Sequence, residues 1–312
     1  MCAACCPVPP AALSRLLPCP AWYVVPARRL ALPRYGEPMR VLTWNLWWRH
    51  GPWQQRRAPI AQTLAEVAPD ICGLQEVWGA APEAGDPTIG NLAAELADRL
   101  GLHWCWAPLP IPPHRRAEHP GLAIGNAVLS RWPIRAHQAL RLPVAEGEQP
   151  RVALHATLDA PGGTLPFFTT HLTHRLDASA ERVAQVRALA PFVAAHAAGC
   201  AYPAVVTGDL NADPASDEIR LLGGMLTAPV VPGQVLVDAW RHAAPGDPGF
   251  TWDLRNGHAH ETGFGSARID YILVGRPRQG RGRIHGVRLA GTEPVDGVWP
   301  SDHFAVVADL AE

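Results

Sequence analysis

A mixed α/β or α+β domain is what the sequence predicts, on three observations. Short apolar runs of strand length alternate with segments whose apolar residues recur at helical spacing. Hydrophobic residues make up 48% and charged residues 18% of the 312 residues, a globular balance with enough chain to bury a sizeable core. No apolar run approaches the roughly 18–20 residues of a membrane span.

The elements follow in order. Residues 1–38 stand apart, with eight prolines, four arginines and a single acid, Glu37. Prolines so dense break any helix or central strand. The segment also lacks the charged start and uninterrupted apolar stretch of a secretory signal. It reads as a disordered leader, or as a stretch upstream of a true start at Met39, and the domain is expected over 39–312. The first strand is Arg40 to Leu46. A helix over about 54–68 puts Ile60, Leu64 and Val67 on one face. Asp70 to Gln75 reads as a buried strand, and about 89–100 as a helix with Leu92, Leu96 and Leu100 inward. Val152, Leu154, Ala156 and Leu158 alternate with polar residues, the pattern of a strand with one wet face. Leu165 to His171 is another strand. A helix over about 180–197 buries Val183, Val186, Leu189 and Val193, with Ser179 as its N-cap and Glu181 favourable to its dipole. Strands at about 203–207, 268–274, 284–290 and 304–310 complete the reading.

Charge and cysteine narrow the function classes. The net charge of −1 supplies no global cationic field for nucleic acid or anionic lipid. The seven cysteines form no disulfide framework and no zinc-ligand cluster with histidine. They are expected to be buried thiols of a reducing compartment, which places the protein in the cytoplasm.

Polar residues recur where the apolar strands stop. Asn45, Glu76, His171, Asp209 and Asn211 each follow such a run; Asp270 lies inside one, and Asp302 and His303 open the last. Strand ends are where rigid β structure delivers side chains into a cleft. Singly, each has an ordinary explanation as a turn former or a satisfied core residue. Together they suit metal-assisted phosphoester hydrolysis. Carboxylates without soft ligands favour a hard cation, Mg²⁺ or Mn²⁺. The cation screens phosphate charge, a carboxylate or His–Asp pair deprotonates water, and His and Asn donate to phosphoryl oxygens.

The residues that carry a resemblance are Thr43-Trp-Asn45, Leu74-Gln-Glu-Val77, Gly125-Asn-Ala-Val-Leu-Ser-Arg-Trp-Pro-Ile134, Thr170-His-Leu172, Gly208-Asp-Leu-Asn211, Arg268-Ile-Asp-Tyr271 and Ser301-Asp-His303. In this order, over about 40–310, they resemble the motifs of the endonuclease/exonuclease/phosphatase superfamily. That superfamily includes pancreatic deoxyribonuclease, exonuclease III, neutral sphingomyelinases and inositol polyphosphate 5-phosphatases. The resemblance implies a four-layer α/β/β/α sandwich of two packed mixed sheets, with the site at the sheet edges. It also implies one or two Mg²⁺ or Mn²⁺ ions held at Asn45, Glu76 and Asp302, with Glu76 the principal ligand. Asp209, held by Asn211, would orient or activate water; His303 would pair with Asp270; His171 would donate to the phosphoryl oxygens. Either Asp209 or the His303–Asp270 pair qualifies as proton acceptor.

The substrate expected is a phosphodiester or phosphomonoester, with nucleic acid or a nucleotide-like ester first. A lipid or inositol phosphate is the alternative, as is a catalytically silent binding module. Phe250-Thr-Trp-Asp253 resembles a segment of exonuclease III-like enzymes and of tyrosyl-DNA phosphodiesterases of the second type. Trp252 is therefore a candidate to stack on a base, the other reading being a core Trp. His174 and Arg175 are candidate phosphate contacts. Trp47, Trp48 and Trp53 with Arg49, Arg56 and Arg57 read either as a nucleic-acid groove or as a solvated helix face. Neither a membrane span nor a protein partner is implied, and a monomer is expected.

Overall fold

Consecutive apolar residues in the central strands require cover on both faces, because side chains alternate across a sheet. Val41, Ile71, Phe167, Val205, Ile272 and Val306 turn into one shared core, while their neighbours Leu42, Cys72, Phe168, Val206, Leu273 and Val307 turn outward into two others. The computed structural model describes residues 38–83, 87–112, 116–260, 263 and 265–312. The expected leader lies outside the described residues, save Pro38.

One sheet contains β1 (Met39–Asn45), β2 (Ile71–Ala80), β3 (His103–Pro110), β4 (Leu122–Ser130), β11 (Ile284–Ala290) and β12 (Ala305–Leu310), in the order β11-β12-β1-β2-β4-β3. The other contains β5 (Ile134–Leu142), β6 (Arg151–Ala160), β7 (Gly163–His171), β8 (Val205–Asp209), β9 (Leu236–Asp238) and β10 (Asp270–Gly275), in the order β5-β6-β7-β8-β10-β9. Helices α1 (Trp53–Val67) and α2 (Leu92–Leu100) cover the outer face of the first sheet. Helices α3 (Ser179–Ala197) and α4 (Asp217–Gly223) cover that of the second. This is the expected four-layer α/β/β/α sandwich.

Two parallel pairs, β1–β2 and β7–β8, point their C-terminal ends at the same edge of the sandwich. Strands β12 and β10 run antiparallel to β1 and β8, so their N-terminal ends arrive there too. The sheets approach closely at Gly73, where a Cβ would stand 2.1 Å from Thr207 Oγ1. Gln75 bridges the layers, donating from Nε2 to Thr43 Oγ1 at 3.2 Å and to Thr169 Oγ1 at 2.8 Å.

Several elements differ from expectation. Strand β3 contains Pro108 and Pro110, which a central strand excludes, but it lies at an edge and pairs with β4 alone. Strand β5 is the opposite sheet's edge; its half-exposed Arg135 to Arg141 stretch carries little apolar alternation. Strands β4 and β9 and helix α4 were likewise not anticipated from periodicity. Ser179 does not cap α3: Ala178 holds the N-cap position without a side-chain bond. Glu181 is in the first turn as expected, where it accepts from the Ala145 N–H at 3.1 Å and from the Thr173 hydroxyl. Cys72 and Cys105 are buried thiols, whereas Cys200 is half-buried and donates to His196 O at 3.3 Å. Among the described residues no helix is long and apolar enough to cross a membrane.

Beneath α3, His155 is only 3% exposed, stacked on Phe168 at 4.7 Å with His196 at 4.3 Å. Its Nδ1 is buried without a partner. Burial, reinforced by His196 and His137, lowers its pKa from 6.5 to about 3. The unfolded chain therefore takes up a proton below pH 6.5 that the folded chain refuses until about pH 3. Stability should be lost as pH falls through that window, by about 3–5 kcal/mol at its acid end. In His155→Phe, urea unfolding from pH 7 to pH 4 should show a flatter fall; an unchanged slope would contradict the neutral buried imidazole.

Candidate active site

The strand ends bring acids and imidazoles into one cleft. In the second sheet His171, Asp209 and Asp270 are cross-strand neighbours, His171 opposite Asp209 and Asp209 opposite Asp270. Each closes or opens its strand, so the row lies at the sheet's edge. Asn45 closes β1. Asp302 and His303 lie just ahead of β12 and are buried.

Glu76 corrects the simple picture. It does not follow a strand but sits inside β2, at a bulge between Leu74 and Val77, in left-handed backbone at φ 53°. The bulge turns its carboxylate out of the ladder toward the cleft, a known use of such irregularities beside active sites. A buried strand read by apolar run length therefore ends too early, at Gln75.

The distances define the cluster. Asn45 donates from Nδ2 to Asp209 Oδ2 at 3.0 Å and to Glu76 Oε1 at 3.3 Å. Its Oδ1 accepts from the Trp47 N–H at 2.9 Å, which fixes which way the amide points. His171 lies 3.5 Å from Asp209 Oδ2 through Nε2 and 3.9 Å from Glu76 Oε1 through Nδ1. His303 donates from Nδ1 to Asp270 Oδ2 at 2.8 Å, and its Nε2 stands 3.8 Å from Asp209 Oδ2. Asn211 holds Asp209 through its backbone, N–H to Oδ1 at 3.0 Å; its side-chain amide goes to Leu172 O at 3.1 Å. The Ser301 hydroxyl is 2.6 Å from Asn45 O and 3.2 Å from Asp302 Oδ1, tying the two loops together.

A buried arginine fastens this side of the cleft. Arg56, 1% exposed, donates to the carbonyls of Leu46, Trp47, Trp48, His50 and Pro300 at 2.8–3.1 Å. Trp47 and Trp48 adopt left-handed φ of 55° and 34°, and Arg56 pins the carbonyls of that strained turn. The aromatic and basic cluster after β1 is thus spent on packing rather than laid out as a groove. Trp48 is buried, Arg49 lies over the rings of Trp53 and Trp78, and Arg57 pairs with Glu95.

Burial and like charge set the electrostatics. Desolvation, then Asp270, pushes Asp209 up to about 7. Desolvation, with Glu76 adding to it, pushes Asp302 up to about 7 as well. Burial alone would lower His303, but Asp270, Asp302 and Asp209 outweigh it and hold the imidazole well above 6.5. His171 is held below 6.5 by burial, then by Arg151, His303 and His174. One imidazole is therefore cationic and the other neutral at pH 7. Asp209, Asp270 and His303 bring one potential ligand atom each within 4.8 Å of one another. His303 Nδ1 is hydrogen-bonded to Asp270, so that pair already holds a proton, with Asp209 in ion-pair range at 3.8 Å.

The three proposed substrate contacts differ in setting. Trp252 packs edge-on to His303 with ring centroids 5.2 Å apart, at the mouth of the cluster. His174 faces Arg151, whose NH2 lies 3.1 Å from its Nδ1. Arg175 is exposed and spends its donors on Glu148 and Asp177. Arg151 was not anticipated; the expected wet face of β6 is instead largely covered, with Arg151 and His155 buried, and its position carries no distinctive spacing.

A sequence profile of the Endonuclease/Exonuclease/phosphatase family matches residues 42–303. The chain belongs to this family. The family is generally divalent-metal dependent, and the membership implied by the motifs holds. An endonuclease/exonuclease/phosphatase from Beutenbergia cavernae has a similar structure, with TM-score 0.66 and 26% identity, covering 88% of this chain and 72% of that one. The catalytic domain of human Nocturnin, with a bound sulfate anion, matches at TM-score 0.65 and 23% identity over 88% and 94% of the two chains. Caenorhabditis elegans TDP2 shares the fold at TM-score 0.63 and 20% identity, over 88% and 97%. Nocturnin of Xenopus laevis is 26% identical over 271 residues; this chain spans 83% of itself and 65% of that relative in the match.

The ion pair with Asp270 makes a direct prediction for this family member. Asp270→Asn removes the largest charge raising His303, so the imidazole should titrate markedly lower. Imidazole NMR across pH 5–9 reads this, and an unshifted titration would contradict the pairing.

Proposed function

We propose that this chain hydrolyses a phosphodiester bond in a nucleic acid or nucleotide-like ester with the help of a bound divalent cation, Mg²⁺ or Mn²⁺. One observation carries the reading: Glu76, Asp209, Asp270 and Asp302 converge on one cleft with two histidines. The family's nucleases and the Nocturnin and TDP2 likenesses support nucleic acid as the substrate class.

The residues fit a hard cation. Their donors are carboxylate oxygens, and two buried acids displaced to about 7 would lose their charge without a positive partner. Glu76 and Asp302 would hold the ion. Asn45 lies beside them, but its amide nitrogen faces Glu76 and Asp209, so it braces the acids as a donor. When bound, the cation withdraws charge from the phosphate and makes phosphorus open to attack.

The chain's own groups then divide the work. Asp209, with a pKa near neutrality and both oxygens already oriented, accepts the proton of the attacking water. The water oxygen bonds to phosphorus as the P–O bond to the leaving group breaks. His171, neutral, donates one N–H to a phosphoryl oxygen. His303, kept protonated and aligned by Asp270, offers Nε2–H to the developing negative charge. Trp252, whose ring centroid lies 5.2 Å from that of His303, would stack on a flat leaving group.

Glu76→Gln should lower Mg²⁺-dependent hydrolysis of bis-p-nitrophenyl phosphate by at least about 10³-fold, while the circular dichroism spectrum is unchanged. Retained activity would remove Glu76 from the ion site. A panel of single- and double-stranded DNA, abasic DNA, RNA, sphingomyelin and inositol phosphates, with Mg²⁺ and with chelator, should show turnover of a nucleic acid. Turnover confined to sphingomyelin or inositol phosphates would overturn the substrate assignment.

A further inference from the structure

Arg151 opens β6 on the far side of His171 from His303 and is 5% exposed. A guanidinium carries its charge at every physiological pH and presents five N–H donors. Arg56 and Arg182, also buried, use most of those donors: Arg56 on five carbonyl contacts, with only its Nε left over, and Arg182 on Glu218 and on the carbonyls of Thr173 and Arg175. Arg151 does not. Among the described residues it forms no ion pair, its NH2 meets only His174 Nδ1 at 3.1 Å, and its Nε is buried with no partner.

The side chain lines a recess that it shares with Glu76, Asn126, Gln149 and His171. The recess has a volume of about 10 Å³, room for one water-sized atom. Asn126 is fixed there by donating its Nδ2 to Val152 O at 2.8 Å. Glu76 and Asp209, then Glu181 and Glu148, attract Arg151 at longer range. Glu76, the strongest of these, is one of the two acids proposed to hold the ion. Once a cation claims Glu76, Arg151 loses its strongest counter-charge while buried beside a hole the size of one oxygen atom.

We propose that Arg151 is a catalytic residue that grips one non-bridging oxygen of the scissile phosphoryl group in this recess, next to His171. This rests on the phosphoester reading above and deepens it. The attacked group must present a non-bridging anionic oxygen to a guanidinium, which phosphodiesters and phosphomonoesters do. His174 is a positioning residue, holding the guanidinium plane through Nδ1.

The test compares wild type, Arg151→Met and Arg151→Lys by three readouts: Mn²⁺ binding by calorimetry, inorganic phosphate binding with Mn²⁺ present, and kcat on bis-p-nitrophenyl phosphate. In Arg151→Met, phosphate affinity should fall at least about tenfold, and kcat about 10²-fold. Mn²⁺ should bind as tightly as before or more tightly, because a repelling cation is gone. Arg151→Lys, which keeps charge but not the fork, should lie between, and it decides the matter if the Met variant does not fold. Unchanged phosphate affinity in a folded variant would overturn the proposal and leave Arg151 as a counter-charge to Glu76 and Asp209. A wild type that binds Mn²⁺ and turns over substrate while the variants keep phosphate affinity rejects Arg151 alone. A wild type that binds no Mn²⁺ and cleaves no ester rejects the phosphoester reading with it.

Discussion

Like charge packed out of water governs this protein. Asp209, Asp270 and Asp302 are each 5% exposed or less, and Glu76 leans into the same cleft. Carboxylates so close repel one another and forfeit hydration, at a cost of several kcal/mol per buried charge. The folded chain offsets part of this with His303, whose proton is shared with Asp270, and with the Asn45 amide braced between Glu76 and Asp209. The remainder appears as acids displaced to about 7. A cleft built this way is poised for a positive ligand, and its electrostatics would be turned to a transition state only when one is there.

Such strain is held by a frame that does not share it. The β1–β2 and β7–β8 pairs aim four strand ends at one edge, and apolar cores on three levels keep the sheets from relaxing apart. Arg56 closes the turn after β1 onto the segment before Asp302 through five carbonyls, and Ser301 repeats the link beside it. The acids are thus contributed by segments distant in sequence, but their separations are set by backbone contacts a few ångströms away.

Much of this was legible in the chain itself. Asn45, His171 and Asp209 stand where apolar runs stop, and the structure places each as the last residue of its strand. The four-layer architecture followed from ordered short motifs. What escaped was whatever departs from regular geometry. Glu76 is displaced from a strand end to a bulge because its backbone adopts φ 53°, which no periodicity announces. Strand β3 hid behind prolines that only an edge tolerates. Ser179 has the chemistry of a cap but sits one residue inside the helix. Arg151 looks like any polar residue of an alternating strand until the fold sets it against His171 and Glu76.

The most direct measurement is calorimetric titration of Mn²⁺ into the metal-free protein at pH 6.5, repeated in buffers of differing ionisation enthalpy. Acids with pKa values about 7 carry protons at that pH, so ion binding should expel about one proton or more per protein. Absence of binding, or binding with no proton released, would contradict a cleft of compressed acids awaiting a cation.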